Sequence, residues 1–223
     1  MTASSSNNKN IIIGLVGVER SGKDTIADYL VANHTFKKHN MADPIREIAK
    51  IMFDWPVELL TGAAKDIVDP ITGIKPRDFF TWFGTDISQF AIYKQFPALE
   101  SFIPPRSIWA RAMTTFIKTN IHKHNVVIPD IRFIHEAKAL LDAGGILVRI
   151  SNPDRETESQ LNKYDLAQLL SSSNDYINAD TILNNTGTVP ELYNNIETLL
   201  ESLNKKQSRP ELQLDTSNSS MFI

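Results

Sequence analysis

Along this chain, short apolar runs alternate with stretches in which apolar residues recur every three to four positions. Ile11 to Val16 is a β-branched run closed by glycine, the pattern of a strand buried on both faces. Gly22 to Asn33 follows with Ile26, Ala27, Leu30 and Val31 on one stripe, the spacing of an amphipathic helix. Helical spacing also covers roughly Pro44–Phe53, Pro76–Phe90 and Ser107–His122. Val126-Val127-Ile128 predicts a second buried strand and Phe133–Asp142 a helix, which ends at Ala143-Gly144-Gly145, where glycine tolerates a left-handed backbone. Ile146–Ile150 predicts a third strand, Thr181–Leu183 a fourth, and Val189–Leu203 a closing amphipathic helix. Such alternation predicts an α/β fold, a parallel sheet with helices on both faces in three layers. In sheets of this kind ligands bind beyond the C-terminal ends of the strands. Two of those ends, after Val16 and after Ile128, carry the chemically informative residues.

The first strand runs into Gly17-Val18-Glu19-Arg20-Ser21-Gly22-Lys23-Asp24-Thr25, which fits G-x-x-x-x-G-K, the core of the Walker A phosphate loop. Glycines let the backbone curl so that successive N–H groups point at phosphate oxygens. The helix beginning there adds roughly half a positive charge, and Lys23 would reach the β- and γ-phosphates. Gly17, Arg20, Ser21, Gly22, Lys23, Asp24 and Thr25 are therefore expected to bind ATP. The short pattern also describes a chance strand-to-helix turn; the flanking strand and amphipathic helix are what set it apart. The usual hydroxyl after the lysine is replaced by Asp24, with Thr25 next. A carboxylate is a hard-oxygen ligand for Mg²⁺, directly or through water. Glu19 puts a negative charge in a loop meant for phosphate and is expected to point away, towards an arginine or a sugar.

At the end of the second strand Asp130 is placed to orient Mg²⁺ or its waters, or else to cap the helix that follows. Arg132 is either an acceptor-phosphate contact or a surface arginine. If the group that accepts the γ-phosphoryl is itself a phosphate, transfer calls for charge neutralisation rather than a general base, because such a phosphate's second pKa is about 6. Arginine suits this through its planar, permanently charged fork. Of Arg20, Arg46, Arg77, Arg132, Arg149 and Arg155, the preferred acceptor clamps are Arg46 and Arg77, each near a helix start after a proline. Arg149 and Arg155 are expected on a closing lid. Trp82, Phe83 and Trp109 sit on apolar stripes, where core packing is the default. His122 and His124 fall at a helix end, where a solvated or capping role outweighs a metal site.

Composition narrows the field. A chain of 223 residues supports one substantial core rather than two domains. Hydrophobic residues make up 42% and charged residues 22%, the ordinary globular range. With no cysteine, disulfides, cysteine-ligated metals and thiol nucleophiles are excluded. The net charge of −3, without a basic block, favours mononucleotides over nucleic-acid polymers. No apolar run approaches the roughly 20 residues of a membrane span. Met1–Asn10 is polar without the plan of a signal peptide, so the expectation is a cytoplasmic protein without a membrane partner. The expected organisation is a disordered leader over 1–10, a single domain over 11–203, and a flexible tail over 204–223.

Gly17–Thr25, GVERSGKDT, resembles the phosphate loop of phage- and virus-type deoxynucleoside monophosphate kinases. Further blocks resemble the same family in the same order: Met41-Ala-Asp-Pro-Ile-Arg46, Phe83-Gly-Thr-Asp86, Trp109, Pro129-Asp-Ile-Arg132 and Glu136. The resemblance implies a P-loop kinase that uses ATP and Mg²⁺ to phosphorylate a deoxynucleoside monophosphate, in a host cytoplasm if viral. It implies acceptor-binding helices over about 41–122, a lid over about 151–170, and a homodimer as a reasonable assembly. It places Arg46, Arg77, Gly84, Thr85, Trp109, Asp130, Arg132 and Glu136 near the acceptor or the transferring phosphate. It also places Asn185, within Asn184-Asn185-Thr186-Gly187, at a loop bordering the adenine. The family often carries a His-x-Ser/Thr-Glu motif where this chain has Asp165-Leu-Ala-Gln168. P-loop phosphomevalonate kinases have a similar Gly-Lys-Asp loop. A kinase of another small metabolite, phosphomevalonate- or dephospho-CoA-like, thus stays open, as does a non-catalytic nucleotide-binding regulator.

Overall fold

Ile12–Val16 forms β1, the central strand of a five-stranded sheet ordered β2-β3-β1-β4-β5, in a computed structural model that describes residues 10–158 and 181–207. Its neighbours are β3 (Asn125–Ile128) and β4 (Ile146–Ser151); β2 (Phe36–Lys38) and β5 (Thr181–Asn184) close the edges, and every pairing is parallel. The unbroken apolar run of β1 follows from its two buried faces. Ile13 and Leu15 pack with α1 (Lys23–Asn33) and α8 (Val189–Gln207), through Ile26, Leu30, Leu192 and Ile196. Ile12 and Val16 pack on the other face with α5 (Ile108–Asn120) and α6 (Ile134–Asp142), through Met113, Ile117 and Leu140. Each such buried side chain stabilises the fold by about 1.5–3 kcal/mol relative to exposure. The expected three-layer α/β fold is what forms.

β2 has no counterpart in the apolar pattern, because only Phe36 of its three residues is apolar and buried. Lys37 and Lys38 mark it as a charged edge strand, a composition that discourages pairing with other chains. At the other end of the chain, α8 continues past Leu203 to Gln207; its last residues in the core are Leu199, Leu200 and Leu203. After β4 comes α7 (Pro153–Glu158), the first part of the expected lid. The rest of the lid with Asp165–Gln168, the leader before Asn10 and the tail beyond Gln207 lie outside the described residues.

Between β2 and β3 the chain makes one long excursion with its own core. It comprises α2 (Asp43–Phe53), 3-10 turns at Val57–Leu60 and Gly62–Asp66, α3 (Pro76–Thr81), a π-helical stretch Trp82–Ala91, α4 (Ile92–Gln95), a 3-10 turn at Pro97–Ser101, and α5. Ile45, Ala49, Trp55, Leu60 and Phe79 are buried together, with Phe53, Phe83 and Trp109 against them. Asp69 pins the intervening loop, accepting from Trp55 Nε1 (3.1 Å) and from Thr72 N and Oγ1 (2.9 and 2.6 Å). The helix expected over Pro76–Phe90 changes character at Trp82. Ser88 Oγ donates to Phe83 O (2.6 Å), while Gln89 Nε2 and Trp109 Nε1 donate to Gly84 O (3.1 and 2.7 Å). Side chains thus compete for carbonyls that an α-helical ladder would use, and the turns widen. The stretch runs close to α2 here: a Cβ on Gly84 would lie 2.7 Å from the tip of the Ile45 side chain, Cδ1. No helix among the described residues is long and apolar enough to cross a membrane.

Candidate active site

Beyond Val16 the chain turns through Gly17–Ser21 into α1. A Cβ on Gly17 would stand 2.7 Å from Ile150 O and 2.8 Å from Ser21 Oγ. Gly22 has φ 103°, and a Cβ on it would meet Asn185 Nδ2 at 2.5 Å. Both positions of the motif therefore exclude a side chain for reasons visible in the fold. Arg20 also takes a positive φ, 60°, and is exposed. Ser21 is fully buried, and its N–H donates to Val18 O (3.2 Å). Asn185 Nδ2 donates to Ser21 O (2.8 Å), while Asn185 N donates to Ser151 O (2.8 Å). The residue after β5 thus buttresses the loop from behind. No side chain caps the N-terminus of α1, so its first N–H groups and the positive end of its dipole are available to an anion. Thr25 is half-buried in the first turn.

Lys23 lies across this loop, its Nζ donating to Gly17 O (2.9 Å) and Val18 O (2.6 Å). Burial lowers its pKa; Arg132 acts in the same direction, while Asp24, Asp130 and Glu19 oppose. Lys23 therefore shares one electrostatic neighbourhood with residues from the ends of two adjacent strands. Glu19 is exposed and its charge also raises the Arg77 pKa, behind the larger effect of Asp66.

Asp24 is exposed and paired with Lys38 Nζ at 3.0 Å, and Lys38 also holds Asp28 at 2.9 Å. Asp130 accepts from Met41 N at 3.0 and 3.2 Å, tying the end of β3 to the start of the excursion. Burial raises its pKa, partly opposed by that hydrogen bond and by Arg132. It does not cap the following helix, which begins at Ile134 with Phe133 as N-cap. Asp24 and Asp130 are hard-oxygen donors in the electrostatic neighbourhood of Lys23. Kinase sites hold Mg²⁺ with one or two carboxylates plus phosphate oxygens, so this donor set fits a metal carried by a nucleotide. Among the described residues no group of three metal-ligating side chains converges.

The arginines separate. Arg132 is exposed at the mouth, and its backbone is fixed from behind by Glu136. The resemblance sets Glu136 near the acceptor, yet it is only 6% exposed and its Oε2 accepts from Arg132 N (2.8 Å) and Phe133 N (3.1 Å). Its carboxylate is committed to the loop backbone, and burial pushes its pKa up to about 7. Arg46 is held by Asp43 on its own helix, and its Nε is enclosed without a partner. Arg77 is paired in bidentate fashion with Asp66, with Nη2 to Oδ2 at 2.8 Å, so both prongs of the fork already have an anion. Arg149 is a strand residue of β4 opposite Val16, not part of a lid. Arg155 lies on α7, in the first part of the segment expected to form a lid. Trp109 is half-buried and pins Gly84 O, whereas Thr85 is exposed. Lys38, Asp43 and Lys65 join this region without a sequence signal, because only folding brings them to it. Lys65 is half-buried, with Arg77, Arg46 and Arg132 among its charged neighbours.

Several known proteins are similar to this chain. Residues 11–59, from β1 through α2 to Leu59, match the family model described as deoxynucleotide monophosphate kinase. A protein of Acanthamoeba polyphaga mimivirus, provisionally named a deoxynucleotide monophosphate kinase, is 29% identical over 192 residues, covering 83% of this chain and 94% of its own. The resemblance to viral deoxynucleotide monophosphate kinases therefore extends well beyond the phosphate loop. Among solved structures, TT1252 from Thermus thermophilus is similar at 17% identity and a TM-score of 0.43, covering 87% of this chain and 98% of its own. An unliganded sugar kinase from Janibacter is similar at 12% identity and a TM-score of 0.41, covering 86% and 95%.

Proposed function

We propose that this chain is a deoxynucleoside monophosphate kinase, transferring the γ-phosphoryl of ATP to a dNMP to give dNDP and ADP. The observation that carries the reading is the shared neighbourhood of Lys23, Asp130 and Arg132 at the C-terminal ends of adjacent parallel strands β1 and β3, with Arg46 and Arg77 facing from the excursion. The match over residues 11–59 and the mimivirus relative support the nucleotide acceptor.

In this reading the β- and γ-phosphates lie against the Gly17–Thr25 backbone and the open end of α1. Lys23 exchanges the Gly17 and Val18 carbonyls for phosphate oxygens and follows the charge that builds on the γ-phosphoryl. Arg132 and Arg46 hold the acceptor's phosphate on the other side. An oxygen of that phosphate bonds to the γ-phosphorus as the bond to the β–γ bridging oxygen breaks, and ADP leaves. No base is required, since near pH 7 the acceptor is already mostly dianionic. Mg²⁺, when bound, neutralises the β- and γ-oxygens, and Asp24 and Asp130 would hold it or its waters. Asp24 must then leave Lys38, which can stay on Asp28. Asn185, against Ser21 and Gly22, fixes the loop near the adenine end.

The test is a coupled assay of ADP release with each dNMP, each ribonucleotide and phosphomevalonate as acceptor. Turnover is expected with one or more dNMPs. Turnover with phosphomevalonate alone, or with no acceptor at all, sinks the assignment.

A further inference from the structure

The pleat of β2 sends its three side chains alternately to the two faces of the sheet. Phe36 enters the core shared with Ile26 and Leu30 of α1, while Lys37 Nζ donates to Asn120 Oδ1 on α5 at 2.9 Å. Lys38 follows Phe36 to the α1 face, opposite Val127 and at the C-terminal end of its strand. There its ammonium meets Asp24 at 3.0 Å and Asp28 at 2.9 Å, carboxylates one turn apart on the same face of α1. The Lys38 side chain is 23% exposed, against 79% and 70% for Asp24 and Asp28, so the cation is the more confined member of the cluster. Burial works to lower the Lys38 pKa, but the hydrogen bonds to Asp28 and Asp24 outweigh it and raise the pKa, so the group stays charged.

Asp24 stands where a phosphate loop usually carries a hydroxyl, in the first turn of a helix whose N–H groups no side chain caps. A carboxylate there is drawn to the same positive helix end that a phosphate would use, and it also repels that phosphate. An ammonium shared between two carboxylates can release one and keep the other. We propose that Lys38 is a positioning residue of the nucleotide site, an exchangeable counter-ion that holds Asp24 away from the uncapped start of α1. It yields Asp24 to the nucleotide's Mg²⁺ and retains Asp28. This rests on the ATP and Mg²⁺ roles proposed above and is independent of the acceptor. Metal-free ATP then needs Lys38 for full affinity, whereas ATP with Mg²⁺ does not.

The experiment is calorimetric ATP binding, in EDTA and in saturating Mg²⁺, to wild type, Lys38→Ala, Lys38→Arg, Asp24→Asn and the double variant Lys38→Ala/Asp24→Asn. In EDTA, Lys38→Ala should weaken ATP binding about two- to fivefold, the scale of one partly exposed ion pair. Lys38→Arg should recover most of that loss, and matched melting curves exclude a folding defect. In Mg²⁺ the loss should disappear, and on the Asp24→Asn background Lys38→Ala should cost nothing further. A merely structural lysine would produce neither the metal dependence nor the coupling to Asp24. Equal ATP affinity of wild type and Lys38→Ala in EDTA overturns the proposal, as does a loss of the same size in Mg²⁺ or on the Asp24→Asn background. Wild type that binds ATP only with Mg²⁺ overturns it too. If wild type binds ATP under neither condition, the nucleotide-site reading itself fails and this proposal falls with it.

Discussion

Glu136 carries a carboxyl with a pKa of about 7 at 6% exposure, and its Oε2 serves two backbone N–H groups of the Arg132 loop. Because the folded pKa lies above the ordinary value of 4.5, the folded protein binds the extra proton between those limits. Stability should therefore be highest below about pH 4.5 as far as this group is concerned, and fall as pH rises to about 7, by about 3 kcal/mol in all. Glu136→Gln keeps an acceptor oxygen for both N–H groups and removes the titration, so its melting temperature should vary less across that window than wild type. Glu136→Ala leaves the two donors unpaired, costs about 1–3 kcal/mol each, and should raise KM for the acceptor more than for ATP by loosening Arg132. At the loop, Lys23→Ala should lower kcat by about 10² or more while the protein still melts cooperatively; near-normal turnover would refute the role of Lys23. Gly17–Thr25, Asp130 and Arg132 were legible in the sequence because a strand end and the residues after it are contiguous. The ion pairs were not. Lys38 reaches Asp24 from 14 positions away and Arg77 reaches Asp66 across 11, contacts that no spacing rule announces.

Among the elements, α1 begins with its N-terminal N–H groups uncapped by any side chain: its N-cap is Gly22 in a left-handed conformation. Gly22→Ala should cost about 1–3 kcal/mol from backbone strain and from the 2.5 Å approach to Asn185, and should weaken ATP binding in titrations. Unaltered stability and affinity would mean the loop tolerates a side chain it has no room for. Trp109→Phe removes the donor to Gly84 O and should raise acceptor KM with little change in ATP affinity. Helices with a clear 3.6-residue stripe and strands with unbroken β-branched runs were readable from the pattern. β2 was not, with one apolar residue in three, and neither was the widening at Trp82–Ala91. That change depends on side chains finding carbonyls, one of them from α5, which the stripe cannot encode.

For the whole molecule, two cores share one sheet while the third belongs to the excursion. Leu140 is fully buried beneath β1, and a Cβ on Gly14 would stand 2.6 Å from its Cδ1. Leu140→Ala should cost about 2–5 kcal/mol and lower the melting temperature, while saturating ATP still raises it, since the phosphate loop is untouched. A variant that melts like wild type would show that the cavity collapses at no cost. The excursion leaves the sheet after Lys38 and returns at Asn125, and these strands are partners, with Lys38 opposite Val127. Its entry and exit are thus already neighbours, clamped by the ladder and by Asp130 holding Met41. A segment anchored in this way is a cassette. Outside α5, which packs beneath β1 through Met113 and Ile117, its length and side chains can diverge without re-threading the sheet, so lineages carrying this scaffold can vary the surface it offers while keeping the Gly17–Thr25 loop.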